Sequence, residues 1–458
     1  MTAAGLDSIL FISVAVAGFM EESIVPKDYI VTDKYILVPP KACGGVCHDC
    51  ANECTRKLKP HLQPKDAFER LYELADFSLA IERIPVGEAL NRITAQDIYA
   101  INNVPNHSVT MKDGIVVNWQ LYLERRSQGQ CTFAPGEFQL GNMGTPVYPP
   151  FDTNCNAEQC HFNADGSVTI DDELVHHQGI EPEGSTVQKG DLLIRNGKKL
   201  TASMLSFLYY NGITDVLVLK KPRVTIIPTG GELVALGEAP GPGQFVESDS
   251  IYIKCIAEQC GSVVRVSRII GDNSLRIRHA IERALPDSDL LVVIGGVGKG
   301  EKRFNDYSLQ AIRNIGTIVT HGLACGPGGS PTLVAVIGGT PVLGIPGPPH
   351  AMLNMTNRVL PPTIELFYQT PYFEETTVDA VLGADFPPTG KNDWYVRVNA
   401  QKINDEIIVT PLADGGDGVD NFVDAAAYIC LREIDKPYHK GKRVQVKLVV
   451  NQRSLEGI

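Results

Sequence analysis

The stretch Leu290-Leu-Val-Val-Ile294 runs directly into Gly295-Gly-Val-Gly-Lys-Gly300. Five consecutive apolar residues without polar alternation suit a strand buried on both faces, as in a parallel sheet covered by helices. Reading outward from it, the segment 224–227 is another apolar run, 250–261 has helical periodicity, 263–270 is again strand-like, and 274–285 is helical. This alternation predicts an α/β domain over residues 221–370. A further helix begins at Ala351, and its pattern is expected to break at Pro361-Pro362.

Glycines fall where these strands end. Thr229-Gly-Gly-Glu232, Gly295 to Gly300 and Gly344-Ile-Pro-Gly347 each follow an apolar run, with Pro327-Gly-Gly-Ser-Pro331 nearby. In open α/β sheets ligands bind at the carboxyl ends of the strands. Bare backbone N–H groups at those ends, followed by helix N-termini, form an anion pocket suited to phosphate. The candidate cofactor-binding residues are therefore Thr229, Gly230, Ser250, Gly295, Gly296, Val297, Gly298, Lys299, Gly300, Pro327, Gly328, Gly329, Ser330, Pro346 and Gly347. Lys299 adds a mobile positive charge. The plain alternative is that these glycines only make tight turns, but three loops at one edge argue for a ligand. Neither nucleotide fingerprint fits: no G-x-x-x-x-G-K-[ST] is present, and no G-x-G-x-x-G opens the first βα unit.

The rest of the chain brackets this domain. At 458 residues it is too long for a single core, and 43% hydrophobic with 21% charged residues is the composition of a folded globular protein. With 41 Lys and Arg against 53 Asp and Glu, the net charge of −12 supplies no global field for nucleic acid. The most apolar segment, Ile9 to Met20, is too short to span a bilayer and has no basic residue before it, so a cytoplasmic protein with a buried strand or interface segment there is expected. Pro64-Lys65-Asp66 opens a helix of about a dozen residues. Residues 104–183 read as short strands and turns, 200–211 as a helix with Thr201 as N-cap and Gly212 as its stop, and period-two runs from Val378 onward as a last β domain.

Eleven cysteines, an odd number, argue against a disulfide framework. Cys43, Cys47, Cys50 and Cys54 cluster with metal-ligand spacing, able to clasp zinc or an iron–sulfur cluster; a flexible arm of reduced thiols is the other reading. The wording C-x-A-E-Q-C, shared by Cys155/Cys160 and Cys255/Cys260, is taken as chance.

With these loops placed, residues 62–458 resemble the molybdopterin molybdenumtransferase family of molybdenum cofactor biosynthesis, which includes the E domain of gephyrin. Pro85 to Asp97 looks like the family's first-domain signature, and Asp113-Gly114 corresponds to its Met-Asp-Gly-Tyr turn. Thr229 to Leu233 matches a Thr-Gly-Asp-Glu-Leu loop, Gly295 to Gly300 a Gly-Gly-Val-Ser-x-Gly loop, and Pro346-Gly347 a Pro-Gly-Asn-Pro loop. The resemblance implies an α/β plus β multidomain fold: a Rossmann-like molybdopterin-binding domain, a small inserted β domain and a C-terminal β-barrel-like domain. It divides the chain into an N-terminal apolar segment and Cys-rich arm (1–61), a discontinuous linker and dimerisation domain (62–104 with 184–220), an inserted β domain (105–183), the α/β domain (221–370) and a C-terminal β domain (371–458). It implies a homodimer that inserts molybdate into the pterin dithiolene with Mg²⁺, with Asp113, Glu232 and Asp272 as the positioning carboxylates and a molybdoenzyme as client. The alternative is a non-catalytic molybdopterin-binding paralogue that acts as a cofactor carrier or maturation partner.

The departures concern charge. Gly231 stands where the family has an acid, Arg303 follows the Gly295 loop, and Thr186 and Asn273 replace further acidic residues. The family's Lys-Pro-Gly-Lys-Pro has become Gly326-Pro-Gly-Gly-Ser-Pro331, and Lys112 adjoins Asp113.

Overall fold

Six strands between Arg223 and Ile345 form one twisted sheet. In the computed structural model, which describes residues 30–31, 36–37, 61–298, 306–372, 376–386, 393–412, 422–431 and 438–449, they are β1 (Arg223–Pro228), β2 (Val263–Val266), β3 (Leu290–Ile294), β4 (Thr317–His321), β5 (Leu333–Ile337) and β6 (Thr340–Ile345). Their spatial order is β2-β1-β3-β6-β5-β4. β1 pairs in parallel with β2 and β3, and β3 with β6. The sheet is nevertheless mixed. β5 runs antiparallel to both β6 and β4, because Gly338 and Gly339, at φ +57° and +89°, turn the chain back on itself as a two-residue hairpin requires.

Helices α1 (Asp249–Gln259), α2 (Ser274–Ala284) and α3 (Tyr307–Ile315) connect these strands. Asn273 caps α2 by accepting from Arg276 N at 3.0 Å. Ile277, Ile281, Leu291, Val293, Leu309, Ile312 and Leu333 are buried together between helices and sheet. A fourth helix, α4 (Pro349–Tyr368), runs through Pro361 and Pro362 instead of breaking there. Its apolar side, Met352, Met355, Val359, Leu360 and Ile364, is buried, and that packing outweighs the local preference against proline. Thr363 Oγ1 also donates to Val359 O at 2.6 Å, beside the carbonyls that lose their N–H partners.

The chain divides into two compact units, one of residues up to Phe77, Arg223–Ile364 and Glu374–Ile458, the other of Ser78–Pro222 and Glu365–Phe373. In the first unit, five C-terminal strands, Thr377–Leu382, Asp393–Ile403, Glu406–Pro411, Ala427–Leu431 and Arg443–Leu448, close on themselves because Asp393–Ile403 pairs with both Glu406–Pro411 and Ala427–Leu431. Leu382, Val398, Val409, Ile429 and Val446 fill this barrel.

The second unit has two separate cores. In one, Val86, Leu200, Leu205, Leu208 and Val218 pack around the antiparallel pair Ile81–Pro85 and Asp215–Leu219 and the helix Ala202–Tyr210. Thr201 caps that helix as expected, accepting from Met204 N. In the other, Ile115, Val117, Tyr122, Phe133, Cys155 and Val168 pack between short strands. Within those short strands lies a helix that strand periodicity did not announce, Trp119–Ser127, capped by Asn118. Tyr122 is its one fully buried residue, so it shows no apolar stripe. The two C-x-A-E-Q-C stretches are structurally unrelated: Cys155 and Cys160 sit on successive strands, Cys255 and Cys260 on and just after α1. Among the described residues no helix is long and apolar enough to cross a membrane.

Candidate functional site

The carboxyl ends of β1, β3 and β6 lie side by side, since these three are parallel neighbours. The loops they feed are the Thr229, Gly295 and Pro346-Gly347 turns, so all three come to one sheet edge. Thr229 is buried and locks two of them together. Its N–H donates to Ile294 O at 2.9 Å, its hydroxyl donates to the same carbonyl at 2.7 Å, and Ser308 Oγ of α3 lies 3.0 Å away. The hydroxyl is thereby committed to the scaffold, and what the turn presents to a ligand is backbone.

Gly295 and Gly296 are required by close approach. A Cβ on Gly295 would come within 2.5 Å of Thr229 O, and one on Gly296, at φ +61°, within 2.7 Å of Ser308 Oγ. On Gly298 it would lie 2.8 Å from Asp306 Oδ1 at the head of α3. Val297 points inward, and its carbonyl accepts from His321 Nε2 at 2.9 Å. Lys299, Gly300 and Arg303 lie outside the described residues, as do the Cys43–Cys54 arm and the Ile9–Met20 segment.

The Pro327–Ser330 turn belongs to the same edge through α4. Asn354 Nδ2 donates to Pro327 O at 2.7 Å, and Gly328, at φ +89°, leaves no room for a side chain against Ala351. Gly329 packs on Cys325 O and Leu323 O, while Ser330 is exposed. At Gly347 a Cβ would meet nothing within 4 Å, so this turn opens to solvent.

Two of the expected carboxylates flank the β1 turn. Asp272 Oδ2 accepts from Gly231 N at 3.1 Å, and a Cβ on Gly231 would come within 2.9 Å of that same oxygen. Glu232 is exposed, with its carboxylate beside Gly230. Asp113 belongs to the other compact unit, where its Oδ1 accepts from Met143 N at 2.7 Å.

A third carboxyl was not singled out from the sequence. Asp249 opens α1, and burial, reinforced by the neighbouring Glu247 charge, pushes its pKa up to about 7. Glu247 holds the first turn of α1, accepting from Ser250 N at 2.8 Å and from the Ser250 hydroxyl. Strand Phe245–Val246 pairs with Leu233–Val234, which ties this acidic start of α1 to the Thr229 turn. The signal available was Glu247-x-Asp249-Ser250 ahead of a helical pattern.

Residues 62–212 match the family described as MoeA N-terminal region (domain I and II), and residues 225–365 match the probable molybdopterin binding domain. This chain belongs to the MoeA family. Among its MoeA relatives, the molybdopterin molybdenumtransferase of Bacillus subtilis is 25% identical over 82% of this chain and 91% of its own. That of Haemophilus influenzae is 26% identical over 65% of this chain and 76% of its own. The crystal structure of a molybdopterin biosynthesis MoeA protein from Pyrococcus horikoshii superposes with a TM-score of 0.73 over 86% of this chain and all of that one, at 23% identity, so the MoeA fold holds across the whole matched region.

Proposed function

We propose that this protein acts in molybdenum cofactor biosynthesis, binding molybdopterin, or its adenylate, at the loop-bearing edge of the β1–β3–β6 sheet and inserting molybdate into its dithiolene. The observation that carries this reading is that three glycine turns of a molybdopterin-binding domain converge there on one sheet edge. Gly296, Gly298 and Gly328 would receive the phosphate, since a helix start and bare N–H groups favour an anion. Lys299 would add charge from the loop beyond Gly298.

Magnesium binds through one or two carboxylates together with substrate phosphate oxygens, keeping several waters. Glu232 and Asp272, both exposed beside the β1 turn, are a donor set of that kind. When bound, the ion would neutralise charge on the substrate oxyanions, while Glu232 and Asp272 hold it and the glycine amides orient the phosphate. With Gly231 lacking the family's acid, retention of Mg²⁺ rests on these two residues and on Asp113.

The same reading gives residues 62–104 with 184–220 a linker and dimerisation role and 105–183 that of an inserted domain, which the two separate cores of that unit support. It also entails a cytoplasmic homodimer in which Asp113 of one protomer serves the glycine turns of its partner, and a molybdoenzyme as the recipient of the product.

The test is anaerobic calorimetric titration of the purified chain with molybdopterin. Gly298→Val, whose side chain would fill the space beside the loop amides, should abolish binding. Unchanged affinity would show the pocket to be elsewhere. Sedimentation at micromolar concentration should give a dimer, and a monomer of about 50 kDa would defeat the shared-site arrangement.

A further inference from the structure

We infer that Asp152, His176 and His177 form a site for a divalent transition-metal ion, independent of the pterin edge. Each offers a ligand atom, and these atoms lie within 4.8 Å of one another. It is the one such three-residue group of His, Cys, Asp and Glu among the described residues. Asp152 Oδ2 stands 3.4 Å from His176 Nε2. That separation is about the edge of a tetrahedron whose ligands sit roughly 2.0–2.1 Å from a zinc ion.

The surroundings fix these groups as a ligand set needs. Asp152 Oδ1 is already occupied, accepting from Trp119 N at 2.8 Å and from Thr153 Oγ1 at 3.1 Å, which leaves Oδ2 for an ion. His177 Nδ1 lies 3.3 Å from Asp152 O, and a proton there, donated to the carbonyl, leaves the Nε2 lone pair available. The turn carrying both histidines is tied to the strand Thr153–Asn156, since Asn154 N donates to Gln178 O at 2.9 Å and His177 N to Thr153 Oγ1 at 3.3 Å.

The histidine rings stack at 3.7 Å, and His176 also stacks at 5.1 Å on the Trp119 ring. His177 also sits at φ +62°, a left-handed conformation that a non-glycine residue keeps only where its surroundings demand it. Ligation turns the two exposed rings out of their stack so that their in-plane lone pairs meet Oδ2 at one ion, and water completes the shell. Two nitrogens and one carboxylate oxygen select zinc, nickel or cobalt, and they select against Mg²⁺ and Ca²⁺, which take oxygen ligands.

The stacked indole supplies a test. The chain has two tryptophans, so Trp394→Phe leaves Trp119 as the sole reporter. Titrating Ni²⁺ into this variant should quench the emission saturably with one ion per chain, EDTA should restore it, and Zn²⁺ should compete. His176→Ala and His177→Ala should each weaken the Ni²⁺ response at least tenfold. Asp152→Asn, whose amide oxygen can keep the Oδ1 contacts, should weaken it while circular dichroism stays unchanged. Replacing Cys43, Cys47, Cys50 and Cys54 together by Ser should leave the quenching intact, which separates this site from the N-terminal thiols. Absence of saturable quenching at millimolar Ni²⁺, or quenching that survives in both histidine variants, would overturn the assignment.

Discussion

Replacing Asp249 by Asn should stabilise the first turn of α1 at pH 8 and leave it unchanged near pH 4. The carboxyl titrates near 7 in the folded chain because burial penalises its charged form and the Glu247 charge adds to the penalty. In the unfolded chain an aspartate titrates near 3.9. Below about pH 4 it is protonated in both states and costs nothing. As the pH rises, the unfolded state ionises first, so this contribution to stability is lost progressively between about 4 and 7 and is gone above that. A shift of about three units corresponds to roughly 4 kcal/mol at one unit per 1.36 kcal/mol. Water reaching a carboxyl that is only partly enclosed screens that figure to about 2 kcal/mol. The neutral amide carries no such penalty, though it gives up about 0.5 kcal/mol of favourable interaction between an anion and the helix N-terminus. The expected net gain at pH 8 is therefore on the order of 1–2 kcal/mol. Hydrogen exchange by mass spectrometry, read on peptides covering Asp249–Gln259 from pH 5 to pH 8, measures the opening free energy of this helix without requiring the whole chain to unfold in one step. A difference between variant and parent that does not change with pH, or a variant less protected at pH 8, would refute the burial argument.

Gly328→Ala should destabilise the molybdopterin-binding domain by about 2–5 kcal/mol, combining left-handed backbone strain with the overlap of the new methyl on Ala351. Gly347→Ala, where nothing lies within 4 Å, should cost under about 1 kcal/mol, and thermal unfolding that ranks the two the other way would be inconsistent with the turn geometry. The N-terminal thiols of anaerobically prepared protein should hold near one zinc, or iron with acid-labile sulfide, and Cys47→Ser should remove that thiol-bound metal. Metal-free preparations with the four N-terminal thiols freely alkylated would leave that arm a tether.

The architecture was readable where a strand is buried on both faces. The Leu290–Ile294 run shows no polar residue because both faces of β3 are buried, and its neighbours β1 and β6 announce themselves in the same way. Gly295, Gly296 and Gly328 are glycines because close approach excludes a Cβ there, and that constraint leaves its mark in the sequence. What escaped was decided by long-range packing. Proline at 361 and 362 argues locally for a helix end, and the buried face of α4 overrules it. The antiparallel return of β5 and β6 did carry a local mark, Gly338-Gly339 between two apolar runs, that an expectation of parallel strands passed over. Asp249 becomes unusual only once its surroundings enclose it. Asp152 meets the adjacent pair His176-His177 across a span of chain that no short-range pattern crosses.

The bond between Asp272 and the Gly231 amide bears on which side chains position 231 can accept. Because the Asp272 oxygen occupies the space that a side chain at 231 would enter, an acid at that position first requires Asp272 to swing away or be replaced. The two positions are epistatic. An acid there with Asp272 unmoved places two carboxylates in contact, and a change at position 272 relieves that contact. An acid introduced at 231 is therefore coupled to position 272: it is accommodated where the exposed Asp272 side chain turns its oxygen aside, with loss of its bond to the Gly231 amide.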